Sequence, residues 1–302
     1  MAFEANRVRR HVPLGPLTTF RVGGPADWFV ETRTTKEIVT AMRLAAAAGV
    51  PATVLGGGSN VLVSDAGVRG LVVRTRGGDV ALVAPDRVRA DAAVSINGLV
   101  RWTINRGWAG LETWAGTPGT VGGAIFGNAH FEGRMIGELV AEVQLLARDG
   151  SIAVVAREEM GFAYDRSRLQ RTGEVLLSAT FRASRGQSDE LRARARKSLA
   201  FRKRTQPLDT HNAGCVFQNP DPARDRVPDG IPWAAGALID RAGLKGMTVG
   251  GARVSPAHGN FIVNDGSATA RDIRTLIDRC RQEVRMKFGV ELREEIVFLG
   301  DW

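Results

Sequence analysis

The chain has 302 residues, of which 44% are hydrophobic and 24% charged, and a formal net charge of +9 at pH 7. This composition is globular and the length suits two or three subdomains, which excludes fibrous and disordered classes. No run of about 18 apolar residues could span a bilayer and no signal-peptide core is visible, so we expect a soluble cytoplasmic protein. The two cysteines, Cys215 and Cys280, have no partner at metal-ligand spacing, so we expect free thiols and no metal.

The N-terminal part mixes strands and helices. Residues 19–30 read as two strands around a Gly-Gly-Pro turn. Thr34 and Glu37 form a capping box before a helix that Gly49 ends. The elements predicted next are two strands flanking the glycines of PATVLGGGSNVLVSD, short strands from Gly70 to Val94 and a helix from Ser95 to Gly107.

The stretch AGTPGTVGGAIFGNAHFEG, residues 115–133, holds six glycines and one proline, and we expect neither a stable helix nor an ordinary strand there. After it, Asp149-Gly150 predicts a hairpin. The later elements predicted are a basic helix from Leu191 to Arg204, a short helix from Ala234 to Ala242, strand and loop from Gly250 to Val263, and a helix from Thr269 to Gly289 with Cys280 on its apolar stripe.

The basic helix is the densest positive cluster of the chain. Its apolar residues Leu191, Ala195 and Leu199 recur at helical spacing, which favours one packed face and one solvated face. A basic surface can also bind nucleic acid or a small anionic substrate. Since no nucleic-acid-binding motif is visible, a nucleic-acid-binding module stays a secondary hypothesis.

Two glycine-rich loops could bind phosphate: LGGGSN, residues 55–60, and GTPGTVGG, residues 116–123. Backbone N–H groups that glycines expose form anion sites, and Ser or Asn side chains add donors. Neither loop matches the P-loop or the dinucleotide fingerprint, and each alone is more often a structural turn. Two such loops beside strands make a shared pyrophosphate site the stronger interpretation.

Six ordered blocks carry a family resemblance over nearly the whole chain: TTFRVGGPAD, LGGGSN, AGTPGTVGGAIFGNA, NAGCVFQNP, GLKGMTVGGARVSPAHGNFIVN and FGVELREEI. Together they resemble the UDP-N-acetylenolpyruvoylglucosamine reductase family, flavoproteins of peptidoglycan synthesis, in its shorter form. The resemblance implies an α+β fold with a vanillyl-alcohol-oxidase/PCMH-type FAD-binding part and a C-terminal α+β substrate-binding subdomain. The implied divisions are two FAD-binding subdomains, 1–75 and 76–207, and a third, 208–302, whose last strand, about 290–302, returns toward the FAD subdomains.

The resemblance implies FAD and NADPH as cofactors and reduction of UDP-N-acetylglucosamine enolpyruvate to UDP-N-acetylmuramate. The glycines would let the backbone approach the FAD pyrophosphate and the flavin. By motif position, FAD contacts fall to Gly56, Gly57, Gly58, Ser59, Asn60, Gly116, Thr117, Pro118, Gly119, Gly122, Gly123 and Asn128.

Reducing an enol ether that bears a carboxylate needs a hydride donor, stabilisation of the enolate and a proton donor. Flavin supplies the hydride, because side chains cannot transfer one. Cys215 stands where the family commonly has Ser, and a thiol, with a reference pKa of about 8.5, carries a proton at neutral pH. The resemblance therefore makes Cys215 the proton donor, although a lone Cys is more often a small packed residue.

For the enolate the resemblance indicates Glu295 and an arginine. Glu295 matches the second acidic position of the family's Leu-Glu-x-Glu pattern, whereas Arg293 replaces the first. The family reads Tyr-Arg-x-Ser, but this chain reads Tyr-Asp-Arg-Ser, so Arg166 comes one place late and on a strand would face the other way. A bulge or loop there would restore its geometry, and Arg166 is the predicted arginine.

Further contacts follow by motif position. Tyr164 is expected to line the pocket, and the UDP phosphates are assigned to Arg204, Gln206, Asn219 and Lys245. His130 stands where Gly is usual and is expected to be packed or solvated rather than a covalent flavin anchor. His258 is expected to fix a loop rather than to catalyse.

The leading hypothesis is this FAD- and NADPH-dependent reductase, acting as a monomer on a small molecule without nucleic acid or membrane. The alternative on the same fold is an FAD-dependent oxidase or dehydrogenase of an alcohol or hydroxy acid. That enzyme would need a base for a hydroxyl proton and would react with oxygen.

Overall fold

The computed structural model describes residues 7–302, which form two compact units. Unit 1 comprises residues 7–10, Trp28–Gly57 and Gly70–Phe201, and unit 2 comprises His11–Asp27, Gly58–Arg69 and Arg202–Trp302. The α-helices are α1 Thr35–Ala47, α2 Ile96–Asn105, α3 Val121–Phe126, α4 Leu169–Thr172, α5 Ser188–Thr205, α6 Ala235–Arg241 and α7 Ala270–Phe288. Short 3-10 turns cover Gly15–Leu17, Glu112–Trp114, Ile136–Glu138 and Arg157–Met160.

The strands are short and spread over both units. They are β1 Arg9–Pro13, β2 Pro25–Thr32, β3 Ala52–Leu55, β4 Val61–Val63, β5 Val68–Thr75, β6 Val80–Ala84, β7 Arg87–Asp91, β8 Trp108–Ala109, β9 His130–Phe131, β10 Arg134–Met135, β11 Val140–Leu146, β12 Ile152–Ala156, β13 Val175–Arg182, β14 Ser184–Arg185, β15 Thr248–Val249, β16 Ala252–Val254, β17 Ile262–Asn264 and β18 Val297–Leu299. Among residues 7–302, no helix combines the length and apolarity that crossing a membrane requires.

Unit 1 is built on an antiparallel five-stranded sheet in the order β12-β11-β13-β7-β6. Its central strand β13 has an almost continuous apolar run and is buried along most of its length, as expected for a strand covered on both faces. Helices α2 and α3 pack on this core, which includes Trp114, Leu99 and Ile125. The unit also holds most of a second sheet, in the order β1-β2-β5-β3, where β3 runs parallel to β5.

Unit 2 is built around helix α7. The apolar stripe of α7 is buried against the three-stranded sheet β15-β16-β17 and helix α6. Cys280 lies on this stripe and is 1% exposed, which confirms that it is a core residue. In a second small sheet β18 runs parallel to β4.

Local signals predicted most elements correctly. Thr34 accepts the Glu37 N–H at the start of α1, and Gly49 adopts a left-handed φ of +65° just after its end. The hairpin at Gly150 joins β11 to β12, and α2, α5, α6 and α7 lie where they were predicted. These signals succeed because caps and turns depend on residues close in sequence.

Two expectations were wrong. Residues 19–22 form no strand, because Arg21 has a left-handed φ of +61°, which breaks an extended backbone. The glycine-rich stretch does contain a helix, α3. Thr120 caps it by accepting the Gly123 N–H, and burial of Val121, Ala124 and Ile125 stabilises it despite its glycines.

The predicted division into 1–75, 76–207 and 208–302 stays a prediction. The last segment of unit 2 begins at Arg202, close to the predicted boundary at 207. Residues 11–27 and 58–69 of the predicted first subdomain belong to unit 2, where β4 pairs with the C-terminal strand β18.

Candidate active site

The two predicted glycine loops meet in unit 1. A Cβ added to Gly57 would lie 2.7 Å from the Cα of Gly119, and one added to Gly56 would lie 2.5 Å from the Oγ1 of Thr120. Both distances are shorter than real Cβ atoms show, so side chains at these two positions would push the loops apart. The glycines of the first loop are thus required by the loop contact itself.

Most of the second loop's donors serve the protein. The N–H of Gly116 donates to Asn97 Oδ1 at 2.8 Å, and the N–H of Gly122 donates to the carbonyl of Ala92 at 2.8 Å. Thr117 likewise donates its N–H to the Trp114 carbonyl at 3.0 Å. These three residues therefore shape the loop and do not offer their N–H groups to a ligand.

Gly123 is different. It is exposed, and a Cβ there would have only the Thr120 Oγ1 within 4 Å, at an ordinary contact distance of 3.8 Å. Its φ is not in the left-handed range. Among the described glycines of the two loops, Gly123 has a conformation and protein surroundings that would accept a side chain.

Asn128 has a structural role for its side chain. The residue is fully buried with a φ of +46°, its Oδ1 accepts the Gly137 N–H at 2.9 Å and its Nδ2 donates to the Ala163 carbonyl at 2.7 Å. The side chain thereby fastens the end of the glycine-rich stretch to the segment that carries Tyr164. Both the oxygen and the nitrogen of the Asn128 side chain are therefore hydrogen-bonded to protein backbone.

The segment Tyr164-Asp165-Arg166 is a tight turn rather than a strand. Ala163 and Arg166 exchange backbone hydrogen bonds of 3.1 and 3.0 Å, which leaves Tyr164 and Asp165 at the corner. Asp165 has a φ of +51° and is buried, whereas Arg166 is exposed. At the position where the family has an arginine, this chain therefore has the buried Asp165, and the guanidinium of the next residue, Arg166, is exposed.

In unit 2, backbone pairing brings the Cys215 segment beside the Glu295 segment. The Glu295 N–H donates to the Val216 carbonyl at 2.8 Å, and Phe217 forms an antiparallel bridge with Glu294. Cys215 is half-buried and follows Gly214, whose φ is +81°. Two of the three predicted catalytic residues therefore lie on paired chain segments.

Asn260, which the sequence analysis missed, holds the other side of the Cys215 segment. It is 3% exposed; its Oδ1 accepts the Phe217 N–H at 2.9 Å and its Nδ2 donates to the Phe217 carbonyl at 2.7 Å. Its carbonyl also accepts the Val216 N–H at 2.9 Å. The sequence feature that could have identified Asn260 is its place directly before the apolar run Phe-Ile-Val in SPAHGNFIVN, because a buried Asn must find hydrogen-bond partners.

His258 fixes this loop. Its Nδ1 accepts the Asn260 N–H at 3.1 Å, and its ring packs edge-on against Phe261 at 4.8 Å. Burial, with the nearby charge of Lys245, lowers the pKa of His258, so the neutral, accepting form is favoured. The expected structural role of His258 agrees with this geometry.

Asn60 joins the predicted FAD loop to the Glu295 segment within unit 2. Its Nδ2 donates to the Glu295 carbonyl at 3.2 Å, and its own carbonyl accepts the Val297 N–H at 3.0 Å. Gly58 has a φ of +64°, and its carbonyl accepts the Thr19 N–H at 2.9 Å. The backbone N–H groups of Ser59 and Asn60 donate to no protein group among residues 7–302.

The residues predicted to bind UDP are dispersed over unit 2. Asn219 Oδ1 accepts the Ala235 N–H at 3.1 Å and so lies at the start of α6, whereas Lys245 pairs with Asp240 at 2.7 Å near its end. Arg204 is exposed and Gln206 half-buried at the end of α5. Their substrate contacts stay predictions.

Residues 206–299 match the family described as UDP-N-acetylenolpyruvoylglucosamine reductase, C-terminal domain, and residues 26–156 match an FAD binding domain. The UDP-N-acetylenolpyruvoylglucosamine reductase 2 of Symbiobacterium thermophilum is 41% identical over 98% of this chain and 94% of its own length. The chain belongs to the UDP-N-acetylenolpyruvoylglucosamine reductase family.

Other relatives agree. The UDP-N-acetylenolpyruvoylglucosamine reductase of Acaryochloris marina is 39% identical over 97% of this chain and 93% of its own length. The crystal structure of UDP-N-acetylenolpyruvylglucosamine reductase (MurB) from Thermus caldophilus has a TM-score of 0.80 and 34% identity, covering 97% of this chain and 99% of that one. The predicted family in its shorter form, the α+β fold with an FAD-binding part, and the enzyme class of an FAD- and NADPH-dependent oxidoreductase of peptidoglycan synthesis are confirmed.

The loop geometry of unit 1 fits a flavin nucleotide. The N–H groups of Gly57 and Gly119 donate to no protein group among the described residues, so both can bind anion oxygens. Beside them, the exposed face of Gly123 provides space that a side chain would fill. The loop contact thus creates the kind of surface that a pyrophosphate can approach closely.

Proposed function

We propose that this chain reduces UDP-N-acetylglucosamine enolpyruvate to UDP-N-acetylmuramate, with Cys215 as the proton donor. The product forms when the terminal carbon of the enol ether gains a hydride and the adjacent carbon gains a proton. FAD, when bound, supplies the hydride that it has taken from NADPH. The residues of this chain must bind the substrate, stabilise the enolate and hold the proton.

The observation that carries the proposal is the backbone pairing of the Cys215 and Glu295 segments. Pairing on one side with Glu295 and on the other with Asn260 restrains the position of residues 216 and 217, and hence of the neighbouring thiol. A donor held by buried backbone contacts loses little freedom when substrate binds. The other cysteine does not qualify, because burial in the core raises the pKa of Cys280 to about 12.

The enolate is assigned to Glu295 and Arg166. A carboxyl group at Glu295 can donate a hydrogen bond to the enolate oxygens when protonated. The exposed guanidinium of Arg166 is available to an anionic group of the substrate, and Tyr164 precedes it by two residues in the same turn. Arg204, Gln206, Asn219 and Lys245 are proposed for the UDP portion.

FAD is assigned to the loop residues that offer free donors or space. These are Gly57, Gly119, Gly123, Ser59 and Asn60. The remaining predicted loop residues, Gly56, Gly58, Gly116, Thr117, Pro118 and Gly122, are proposed to shape the loops around the cofactor. We also propose that the enzyme is monomeric and has no nucleic-acid partner. We propose that it is cytoplasmic, because NADPH and nucleotide sugars are small cytoplasmic metabolites.

Half-reaction kinetics test the proton donor. Cys215→Ala should leave flavin reduction by NADPH within a few-fold of normal and slow flavin reoxidation by the enolpyruvyl substrate by roughly 10²-fold, the usual effect of a lost general acid. Cys215→Ser should recover much of that loss, since a hydroxyl keeps a proton at the same place. Stopped-flow absorbance of the flavin resolves the two steps, and Cys280→Ala is the matched control with normal half-reactions.

Two results would contradict the proposal in different ways. Normal reoxidation in Cys215→Ala would make the thiol a packing residue. Reoxidation of the wild-type flavin only by oxygen, with turnover of a hydroxy acid, would replace the reductase by the oxidase alternative.

A further inference from the structure

Residues 220–234 form a loop of unit 2 whose two ends are joined. The Oδ1 of Asn219 accepts the Ala235 N–H at 3.1 Å, so the chain leaves and returns at the start of α6. Surface loops of this kind, with adjacent ends, frequently carry function.

Polar and apolar contacts hold this loop against the rest of unit 2. The Arg293 guanidinium donates to both carboxylate oxygens of Asp225, at 3.3 and 2.6 Å, and Arg293 comes two residues before Glu295. Val227 and Ile231 pack against the apolar core around α7. A loop that is held in this way loses little freedom when a ligand binds to it.

Trp233 is the large side chain of the loop that these contacts leave unused. It is 45% exposed. Within the part of the chain that the structure describes, its ring contacts no other aromatic ring or cation and its indole N–H donates to no group. By contrast, the exposed Trp302 packs edge-on against Phe298 with 5.3 Å between the centroids. The indole of Trp233 therefore offers a flat surface to an aromatic ligand.

Two of the residues proposed for the UDP portion lie at the end of α6 that follows Trp233. Asn219 is bonded to the first residue of that helix. The charge of Lys245 is near enough to His258 to help lower the pKa of that ring. The His258 ring in turn lies against the first turn of α6, since a Cβ added to Gly236 would be 3.0 Å from its Cε1. A diphosphate held by Asn219 and Lys245 is thus bound close to Trp233.

We propose that Trp233 stacks on the uracil ring of the UDP-sugar substrate and closes that end of its site. This inference rests on the proposed function and names the side chain that binds the base. Because every nucleobase has a π-face, stacking is tolerant of base identity. Trp233 therefore contributes affinity for the nucleotide rather than the choice of uracil.

Binding of UDP to the flavin-loaded protein tests the inference without the reaction. Trp233→Ala should weaken calorimetric UDP binding by roughly tenfold or more, as expected for a lost base-stacking contact. Trp233→Phe keeps an aromatic face and should bind UDP within about threefold of wild type. Trp302→Ala, which removes the other exposed tryptophan of unit 2, is the matched control and should bind UDP as wild type does.

Two further measurements separate stacking from a structural role. A base stacked on an indole quenches its fluorescence, so UDP should quench the emission of wild type and Trp302→Phe but not that of Trp233→Phe. Trp233→Ala should also raise the concentration of enolpyruvyl substrate that half-saturates flavin reoxidation by roughly tenfold. The maximal rate should stay within about twofold, because the lost contact is common to the ground state and the transition state.

Three results would overturn the inference: wild-type UDP affinity in Trp233→Ala, the same weakening in Trp302→Ala, or full quenching by UDP in Trp233→Phe. They apply to a wild type that binds UDP and turns over the enolpyruvyl substrate. A wild type that does neither contradicts the proposed function instead.

Discussion

Gly123→Ala is the sharpest test of the FAD loops. The substitution adds one methyl group within α3, where the protein leaves room: only the Thr120 Oγ1 lies within 4 Å, at 3.8 Å. Replacing Gly by Ala inside a helix stabilises it by up to about 1 kcal/mol. For a chain of this size, that corresponds to a rise of roughly 2–4 °C in the melting temperature of the flavin-free protein.

The same methyl group should weaken the cofactor site. If FAD lies against the exposed face of Gly123, the methyl must displace it, and a loss of at least tenfold in FAD affinity, about 1.4 kcal/mol, is expected. The assay removes the flavin, measures the melting temperature, and titrates FAD back by its fluorescence. A stabilised apoprotein with weakened FAD binding is the expected combination, which general misfolding cannot produce.

Gly127→Ala is the matched control. Gly127 ends α3 with a φ of −90°, and its added Cβ would meet only the Gly123 carbonyl at 3.8 Å. It should bind FAD normally, and Gly123→Ala binding FAD as tightly as wild type would refute the assignment. Gly57 and Gly122 are less informative, because their added Cβ atoms would lie 2.7 Å from Gly119 and 3.2 Å from the Ala92 carbonyl.

Two further predictions concern unit 2. Asn260→Ala should slow substrate-dependent flavin reoxidation at least tenfold and leave flavin reduction by NADPH normal, because it removes the two side-chain hydrogen bonds that hold the Cys215 segment. The control is Asn264→Ala, which removes a second buried Asn whose side chain makes three hydrogen bonds. It should lower the stability of the protein by a similar amount but leave flavin reoxidation normal. Equal rates of flavin reoxidation in Asn260→Ala and Asn264→Ala would contradict this prediction. The Arg293 guanidinium holds the pKa of Asp225 below its usual range, so their pair stabilises the fold above about pH 3.9 and the stability is lost as the pH falls through the lowered pKa. Arg293→Met should therefore lower the urea midpoint at pH 7, with the difference from wild type narrowing below about pH 3.9; a difference independent of pH would refute it.

Local sequence predicted the helices better than the irregular segments. The capping box at Thr269 and the left-handed Gly289 define α7 from residues near its ends, and its apolar stripe is buried as the spacing indicates. The short helix α3 could not be predicted from propensity, because burial of its apolar residues decides it. Such burial depends on residues distant in the sequence, which a short stretch of sequence around the helix does not contain.

For the site, the resemblance supplied residue identities but not their partners. The pairing of Glu295 with Val216 and the clamp from Asn260 join segments far apart in the sequence. The turn at Asp165 was left open by its sequence, since both a strand and a loop could accommodate Tyr-Asp-Arg-Ser. Its left-handed Asp165 became visible only in the structure.

Both positions where this chain places the opposite charge to the family pattern have a compensating partner, and the difference between the two pairs indicates their roles. Arg293 binds both carboxylate oxygens of Asp225, at 3.3 and 2.6 Å, and Asp225 Oδ2 also accepts the Asp221 N–H at 2.6 Å. That carboxylate is saturated, as a structural ion pair should be. Asp165 Oδ1 lies 3.1 Å from His130 Nδ1, and Asp165 Oδ2 has no hydrogen-bond partner among residues 7–302. The Arg293 pair is therefore assigned to stability, because both oxygens of its carboxylate are hydrogen-bonded, although Arg293 Nε is itself buried without a partner among residues 7–302.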